Sequence, residues 1–570
     1  NSGVQYYKPG DTTTEPRGVF LAKLDQIQRL DHDMEVFSAR LDRAMRELHA
    51  NSHEDPAAVI YAASEIAQHA QKDMNWKKAL ASEDRDAVIE ALNLELTSLQ
   101  KTILTQVTQD DHDFTTAVET ATPGRLLLDI KRSGKYKCRG VKQGFKENKE
   151  LSDGPDFIYY SNVVKLNAVR VALFKRRRRG RVTGIKDVST AFLQSNPYPE
   201  GTVKYISFKH PISGPWMYFR QSGPIYGEAS APARWEQTIA PWLEEQGFKR
   251  GCNEPGVFYH SERDLLLLLY VDDLLAEGDR SDVEWIFKEL QGRFDCKDAD
   301  YLEPGTDLDY LGMDLIATKD QNCISMKKYI QNAIDILGLQ DHRKASMPIS
   351  EPIEGGTLLV GSDVHQFMSA LGMLGWLAST ARPDVAYAYS RIAQHTAKCT
   401  DVALKALYKC FAYLRDNADI RIAADIYEPE SSFTEVLRQT KCDNEWRFCS
   451  DTDHAGNRED QNRMRSQNGE YAGLNGAPFS WYSKASSVTF ACEKIGEAHA
   501  DTSSTAVEIY GVGNATQNIL GHSYVIEEMG IEFPFPFQLE MDNRAAKIFC
   551  QGSALKTKLK HIDCRQHWVK

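Results

Sequence analysis

The stretch Leu265-Leu266-Leu267-Leu268-Leu269-Tyr270-Val271-Asp272-Asp273-Leu274-Leu275-Ala276 decides how the rest of the chain is read. Leu265 to Val271 is the longest purely apolar run in the chain, closed by Asp264 on one side and Asp272 on the other. It suits a buried strand and falls far short of the roughly 20 residues that cross a bilayer, so no membrane span is expected. Two acids interrupt the run before apolar character resumes, and the pattern predicts a hairpin with carboxylates at its tip. As turn chemistry alone, an Asp-Asp pair is ordinary.

A second strand-like stretch, residues 181–186, ends in Asp187 and continues as Val188-Ser189-Thr190-Ala191-Phe192-Leu193. Two strand ends can bring three acids together. Carboxylates crowded at low dielectric repel unless cations neutralise them, and Mg2+ takes one or two carboxylates plus phosphate oxygens. Two such ions about 4 Å apart can activate an attacking hydroxyl and stabilise a leaving pyrophosphate. Read from residues alone, the expectation is a two-metal phosphoryl-transfer enzyme with a basic groove.

The surroundings bound this reading. A chain of 570 residues, at about 150 per domain, divides into roughly three to five units. With 42% hydrophobic and 26% charged residues the composition is ordinary for globular proteins, which excludes wholesale disorder. The 11 cysteines contain no C-x-x-C pair, so neither a secreted disulfide framework nor a zinc ribbon is expected, and a reducing intracellular compartment is the default. No basic, apolar leader follows Asn1, and the chain reads as a piece of something longer. The net charge is −12, yet residues 131–181 hold 16 Lys or Arg against 4 Asp or Glu. A basic segment on an acidic chain suits a nucleic-acid groove; a solvated charge run around Lys175 to Arg179 is the plainer alternative.

Residues 1 to about 105 read as helical, with Leu21, Leu24, Ile27, Leu30, Met34, Phe37, Leu41 and Met45 recurring every three or four positions. From about 120 to 350, strands and helices alternate irregularly between turn signals, which fits an α+β domain. A helical stretch over about 364–417 carries a break at Arg382-Pro383-Asp384, and the segment 427–444 reads as a linker. Beyond it, Trp446, Phe448 and Ser450 alternate into Asp451, and Phe537, Leu539 and Met541 into Asp542. Between these two strands, Thr502 and Ser503 can cap a helix running through Glu508 toward Met529.

Tyr270-Val271-Asp272-Asp273 resembles the catalytic box of reverse transcriptases, and Asp187 to Leu193 resembles their first palm motif. The specific resemblance is to copia-type long-terminal-repeat retrotransposons. In the family's order follow Tyr136 to Phe145 in the fingers, Ile225-Tyr226-Gly227 through Ala231-Pro232-Ala233-Arg234-Trp235 in the palm, Tyr310 to Asp314 toward the thumb and Ala378 to Tyr387 in the connection. Several boxes in one order make the resemblance strong where each tetrapeptide is weak. It implies a multidomain α+β fold, a right-hand polymerase followed by an α/β ribonuclease H-like domain. The expected organisation is a helical N-terminal extension at 1–105, fingers and palm at 106–300, a thumb-side region at 301–350, a helical connection at 351–426, a linker at 427–444 and the ribonuclease H-like domain at 445–570.

The resemblance also implies roles. Asp187, Asp272 and Asp273 are the catalytic acids of the palm, with Asp187, Val188 and Asp272 at the metal. Lys137 and Arg139 grip the incoming triphosphate, as permanent or near-permanent cations can. Phe192 stands where the family places its gate against a ribose 2′-hydroxyl, and Tyr226 and Gly227 complete the nucleotide site. Ser450 to Gly456, Ser503 to Glu508, Met541-Asp542-Asn543 and Lys560-His561-Ile562-Asp563 resemble the four acid-bearing segments of the copia-type ribonuclease H domain. The implied tetrad is Asp451, Glu508, Asp542 and Asp563, each both catalytic and metal-holding. Asp453 and His454 are bystanders, and His561 or His567 is a candidate for assisting product release.

Two Mg2+ per site are implied, with Mn2+ as a substitute. The implied partners are an RNA template, a DNA primer, RNA–DNA hybrid and dNTPs, with self-association or other Pol products besides; the implied location is a cytoplasmic virus-like particle, and the nucleus. Some positions depart from the family. Glu228-Ala229-Ser230 stands where Leu-Lys-Gln is usual and sets an acid near the template or nucleotide pocket; Ser161 to Val164 replaces Phe-Ala-Pro-Val; and Ala506 replaces an acid. The alternative function is therefore a catalytically degenerate retroelement remnant that binds nucleic acid or assembles without turnover. A nuclease alone ranks last, because it leaves the hairpin acids without a purpose.

Overall fold

The computed structural model describes residues 76–130, 135–147, 153–154, 156–350, 352–427, 444–453, 465–489 and 504–551. The periodic stripe from Leu21 to Met45 and the body of the expected linker lie outside them. The chain forms two compact units. One combines the residues up to Val163 with Val188–Gly247 and Gln291–Lys297; the other combines Val164–Asp187, Phe248–Leu290 and the residues from Asp298 onward.

The first unit is built on a five-stranded sheet ordered Leu104–Val107, Trp216–Gln221, Lys204–Lys209, Thr122–Ile130, Tyr136–Lys142. The helix Arg85–Thr102 covers it through Ala91, Leu92 and Leu99, packed on Ile206, Phe208 and Phe219. Gly140 permits this approach, since a Cβ there would press on Leu99 Cδ1 at 2.6 Å. Helical expectation thus holds for 85–102 and ends at the strand Leu104–Val107.

The second unit contains a six-stranded sheet ordered Asp300–Leu302, Arg181–Asp187, Asp273–Asp279, Leu265–Tyr270, Val257–His260, Lys249–Arg250. Leu265 to Leu269 are buried along with Leu274, Leu275 and Ala276, and the helix Arg280–Arg293 covers one face with Val283, Ile286 and Phe287. Near-continuous apolar character follows from burial of the strands on both faces. Gly184 lets the helix seat, because a Cβ would meet Phe287 at 2.7 Å and Val283 at 2.9 Å.

A four-stranded antiparallel sheet follows: Asp307–Tyr310, Met313–Ala317, Gln321–Ser325 and, from far along the chain, Ile422–Asp425. The stretch expected to be a helical connection does hold the helices Ser362–Thr380, Ala386–Ala393 and Asp401–Asp416, with a short turn of helix at Pro383–Val385 in the break. Its last strand nevertheless belongs to the sheet of the preceding region. A final sheet, ordered Ala477–Thr489, Arg465–Leu474, Trp446–Thr452, Leu539–Glu540, is antiparallel except for the last pair, which is parallel, and is backed by the helix Ser504–Glu528.

The part of the basic segment from Lys175 to Arg181 lies in the second unit and is paired there. Arg181 donates to both Glu277 oxygens at 2.9 and 3.1 Å and to Asp264 at 2.6 Å, Lys175 also pairs with Glu277, and Arg177 donates to Thr183 Oγ1 at 2.9 Å. Burial pushes the Glu277 carboxyl up, but Lys175 and Arg181 outweigh it and hold it at about 2. Arg178 and Arg179 reach Asp279 and Asp320. Lys175, Arg178, Arg179 and Arg181 thus pair with buried or neighbouring acids that are distant in sequence, Arg178 and Arg179 remaining exposed.

Candidate functional sites

The hairpin forms as the apolar run and its two interrupting acids predict: Leu265–Tyr270 pairs with Asp273–Asp279, turning through Val271, at φ 56°, and Asp272. Asp273–Asp279 also pairs antiparallel with Arg181–Asp187, and in that register Asp273 stands directly opposite Asp187. Directly opposed residues lie about 4.5–5.5 Å apart at Cα with side chains on one face. Strand pairing therefore brings Asp187, Asp272 and Asp273 to one sheet end, each half-buried. Beneath them lies the buried Tyr310 phenol, whose pKa is driven well up by burial and by Asp273. Its Oη has no hydrogen-bond partner among the described residues.

In the first unit, Tyr136–Lys142 carries Lys137 and Arg139 two residues apart, hence on one face. The Arg139 guanidinium lies 6.0 Å from the Tyr226 ring centre, and Phe192 meets the same ring at 5.4 Å. The Tyr226-Gly227 turn is tied to the end of that strand: Lys142 N donates to Tyr226 O at 2.7 Å and Gly144 N to Gly227 O at 3.2 Å. Gly227 has φ 81°, which favours glycine. Glu95 accepts from Gly140 N at 2.7 Å; burial raises its pKa against the pull of that bond and of Lys137 and Arg139. Arg139, Phe192, Tyr226 and Gly227 are thus brought together.

The Glu228 carboxylate is buried and accepts from Tyr198, Lys204, Gln221 and Ser230.

The second acid cluster is the tighter one. Asp451, Glu508 and Asp542 each offer an oxygen, and these lie within 4.8 Å of one another. Asp451 stands near the end of Trp446–Thr452, and the parallel register Phe448 with Leu539, Cys449 with Glu540, carried onward, sets Asp542 alongside it. Glu508 comes from the helix Ser504–Glu528, which approaches the strand closely at Gly511, where a Cβ would run into Thr452 Oγ1. Burial, then the charges of Asp451 and Asp542, push the Glu508 carboxyl up to about 7, and its Oε2 is buried without a partner among the described residues. An all-oxygen donor set under mutual repulsion, with one orphaned acceptor, fits a hard divalent cation. Asp453 is occupied locally, accepting from Gln467 N at 2.5 Å. Asp563, His454, His561 and His567 lie outside the described residues.

Glu470 and Arg170 escape a motif-based reading. Glu470 lies opposite Ser450, is held by Asn518 Nδ2 at 2.8 Å, and has its carboxyl pushed up to about 7 by burial. Arg170 sits in a helix, Leu166–Phe174, whose other residues are apolar apart from Asn167.

Residues 125–351 match the family described as "Reverse transcriptase (RNA-dependent DNA polymerase)". They are a reverse transcriptase region of the copia-type retrotransposon Pol family. Similar proteins include the "Retrovirus-related Pol polyprotein from transposon TNT 1-94" of Nicotiana tabacum, 23% identical over 87% of this chain and 35% of that relative. The corresponding polyprotein from transposon RE2 of Arabidopsis thaliana is 25% identical over 76% and 28%, and the "Transposon Ty1-DR6 Gag-Pol polyprotein" of Saccharomyces cerevisiae 24% over 71% and 22%. The chain spans about a third or less of the length of these relatives. None of the described helices is long and apolar enough to cross a membrane.

Proposed function

We propose that this region of Pol is a two-site enzyme, an RNA-directed DNA polymerase that copies retrotransposon RNA into DNA and a ribonuclease H that cleaves the RNA strand of the resulting hybrid. The observation that carries the first activity is the register setting Asp273 opposite Asp187 at the end of a hairpin whose turn holds Asp272. On this reading the six-stranded sheet is the palm, and the strand bearing Lys137 and Arg139 belongs to the fingers. The final sheet and its helix are the ribonuclease H-like domain, with Asp563 as its fourth acid.

Asp187 and Asp272, with Val188, would hold Mg2+ in the palm, and Asp451, Glu508, Asp542 and Asp563 in the second site. When bound, the metals supply Lewis-acid stabilisation of phosphoryl charge and a deprotonated oxygen nucleophile at neutral pH. The chain's own contribution is positional. Lys137 and Arg139 offer fixed positive charge to a triphosphate, Phe192 presents a ring edge against a 2′-hydroxyl, and the Asp451, Glu508 and Asp542 carboxylates bear a concentrated negative charge. Template, primer and dNTPs are the partners this chemistry requires.

The degenerate-remnant alternative drew on Glu228, and its burial against two lysines weakens that motive. The test is oligo(dT)-primed extension on poly(rA) beside hybrid cleavage, both with Mg2+. Asp272→Asn is expected to abolish extension and spare cleavage, and Asp542→Asn to do the reverse. Both activities surviving both substitutions overturns the assignment.

A further inference from the structure

We propose that Glu228 is a positioning residue for the incoming nucleotide: its buried carboxylate locks the Tyr226-Gly227 turn to the neighbouring strands and so holds the Tyr226 ring between Arg139 and Phe192. The inference rests on the reading of those three residues as a nucleotide site.

Glu228 directly follows the turn, and its own N–H donates to Ile225 O at 3.1 Å, closing it. One carboxylate oxygen accepts from Lys204 Nζ at 2.9 Å and Ser230 Oγ at 2.8 Å; the other accepts from Gln221 Nε2 at 2.6 Å, and Tyr198 Oη lies 2.7 Å from each. Lys204 and Gln221 face each other across adjacent strands of the sheet, so the one side chain is anchored to two strands at a single rung. A third strand joins through Lys142 at the end of Tyr136–Lys142. Its Nζ reaches Glu147 at 2.6 Å, Gln221 Oε1 at 3.2 Å and Glu228 at 3.6 Å, and its backbone N–H is the group bonded to Tyr226 O.

Three acids, Glu147, Asp153 and Glu228, are balanced by Lys142, Lys204 and Arg234, the last two meeting Asp153 at 2.8 and 2.9 Å. Such a cluster tolerates burial only while its charges match, which makes it geometrically exacting. Close approach is built in as well: a Cβ on Gly144 would crowd the Gly227 carbonyl and Glu228 Cα. A solvent-facing anchor would let the turn drift. A buried one with both oxygens bonded does not, and of the side chains it orients, the Arg139 guanidinium on the strand lies 6.0 Å from the centre of the Tyr226 ring on the turn.

The test compares wild type, Glu228→Gln and the charge-balanced double variant Glu228→Gln/Lys142→Met, as full chains. Steady-state extension on poly(rA) with oligo(dT) gives KM for dTTP and kcat, while equilibrium binding of Mg2+-dTTP, melting temperature and hybrid cleavage are measured in parallel. Glu228→Gln is expected to raise KM for dTTP about tenfold, the equivalent of one lost charge-assisted hydrogen bond, with kcat and hybrid cleavage within about twofold. The double variant is expected to recover melting temperature and keep the raised KM. An unchanged KM in Glu228→Gln, or a KM that returns to normal together with stability in the double variant, overturns the proposal in favour of a purely structural carboxylate. If wild type extends no primer yet binds dTTP, and Glu228→Gln weakens that binding, the polymerase reading fails and the positioning role stands. If wild type does not bind dTTP, both fall.

Discussion

Arg170 offers the sharpest test of how the second unit is held together. It lies in the helix Leu166–Phe174, 4% exposed, and its guanidinium donates to Thr380 O at 3.0 and 2.7 Å, to Ser379 O, and to Phe479 O at 3.0 Å, while lying 4.2 Å from the Trp481 ring centre. Ser379 and Thr380 end the helix Ser362–Thr380, so these are carbonyls with no partner inside their own helix, at its negative pole. Trp481 Nε1 satisfies the preceding carbonyl, that of Ala378, at 2.8 Å. Arg170→Met keeps most of the stem and removes every donor, leaving three carbonyls short of a partner. At roughly 1–3 kcal/mol per unsatisfied buried group, and about 1 kcal/mol for the lost ring contact, the gross loss is about 4–10 kcal/mol. Water entry and the relieved desolvation of the guanidinium return part of this, and we expect a net loss of about 3–5 kcal/mol. Arg170→Lys keeps the charge without the planar fork and should recover less than half. Equilibrium urea unfolding, with limited proteolysis of the final sheet under native conditions, measures both. A Met variant within about 1 kcal/mol of wild type, or a Lys variant equal to wild type, refutes the argument that the forked geometry matters.

Two further outcomes follow from the same unit. His522 contacts Asn167 Nδ2 and Ser480 Oγ, each at 3.0 Å, and burial, then Lys165, pull its pKa down to about 4. The unfolded chain takes up this proton below about pH 6.5 and the folded chain does not until about pH 4, so stability is fully present above 6.5 and lost as pH falls between the two. His522→Gln should flatten that limb, by up to about 3 kcal/mol at pH 4, in urea midpoints taken from pH 7 to 4; an unchanged slope counts against a neutral buried ring. Gly511→Ala gains helix propensity of about 1 kcal/mol but places a methyl against Thr452, at an overpacking cost of about 1–3 kcal/mol. Melting temperature should fall and hybrid cleavage should drop more than primer extension; a stabilised variant with full cleavage would show that helix and strand do not approach so closely.

The hairpin and its acids were legible because both signals are local: an unbroken apolar run long enough for a strand, and two charges where that run stops. The same holds for the strand into Asp451 and the helix carrying Glu508, whose alternation and capping residues lie within a few positions of the acids they deliver. The convergence of Asp451, Glu508 and Asp542 was suggested by order along the chain, and their distances came from a parallel strand pair and one glycine. Local charge density does not name its partners where these are remote. The acids that pair with Lys175, Arg178 and Arg179 could not be read from the run itself, because Glu277, Asp279 and Asp320 lie about 100 or more positions away.

By itself, then, the sequence determined the element types, the strand ends on which acids stand and the family order of the motifs, since periodicity and turn chemistry act over a handful of residues. Only the tertiary structure decided that Asp187 faces Asp273, that Ile422–Asp425 joins a sheet begun a hundred residues earlier, that Arg170 caps a helix it never adjoins, and that Glu228 is an internal anchor. The physical reason is common to all four. A buried charge or strand edge is satisfied by whatever group the folded chain brings to it, and that group's position in sequence leaves no local trace.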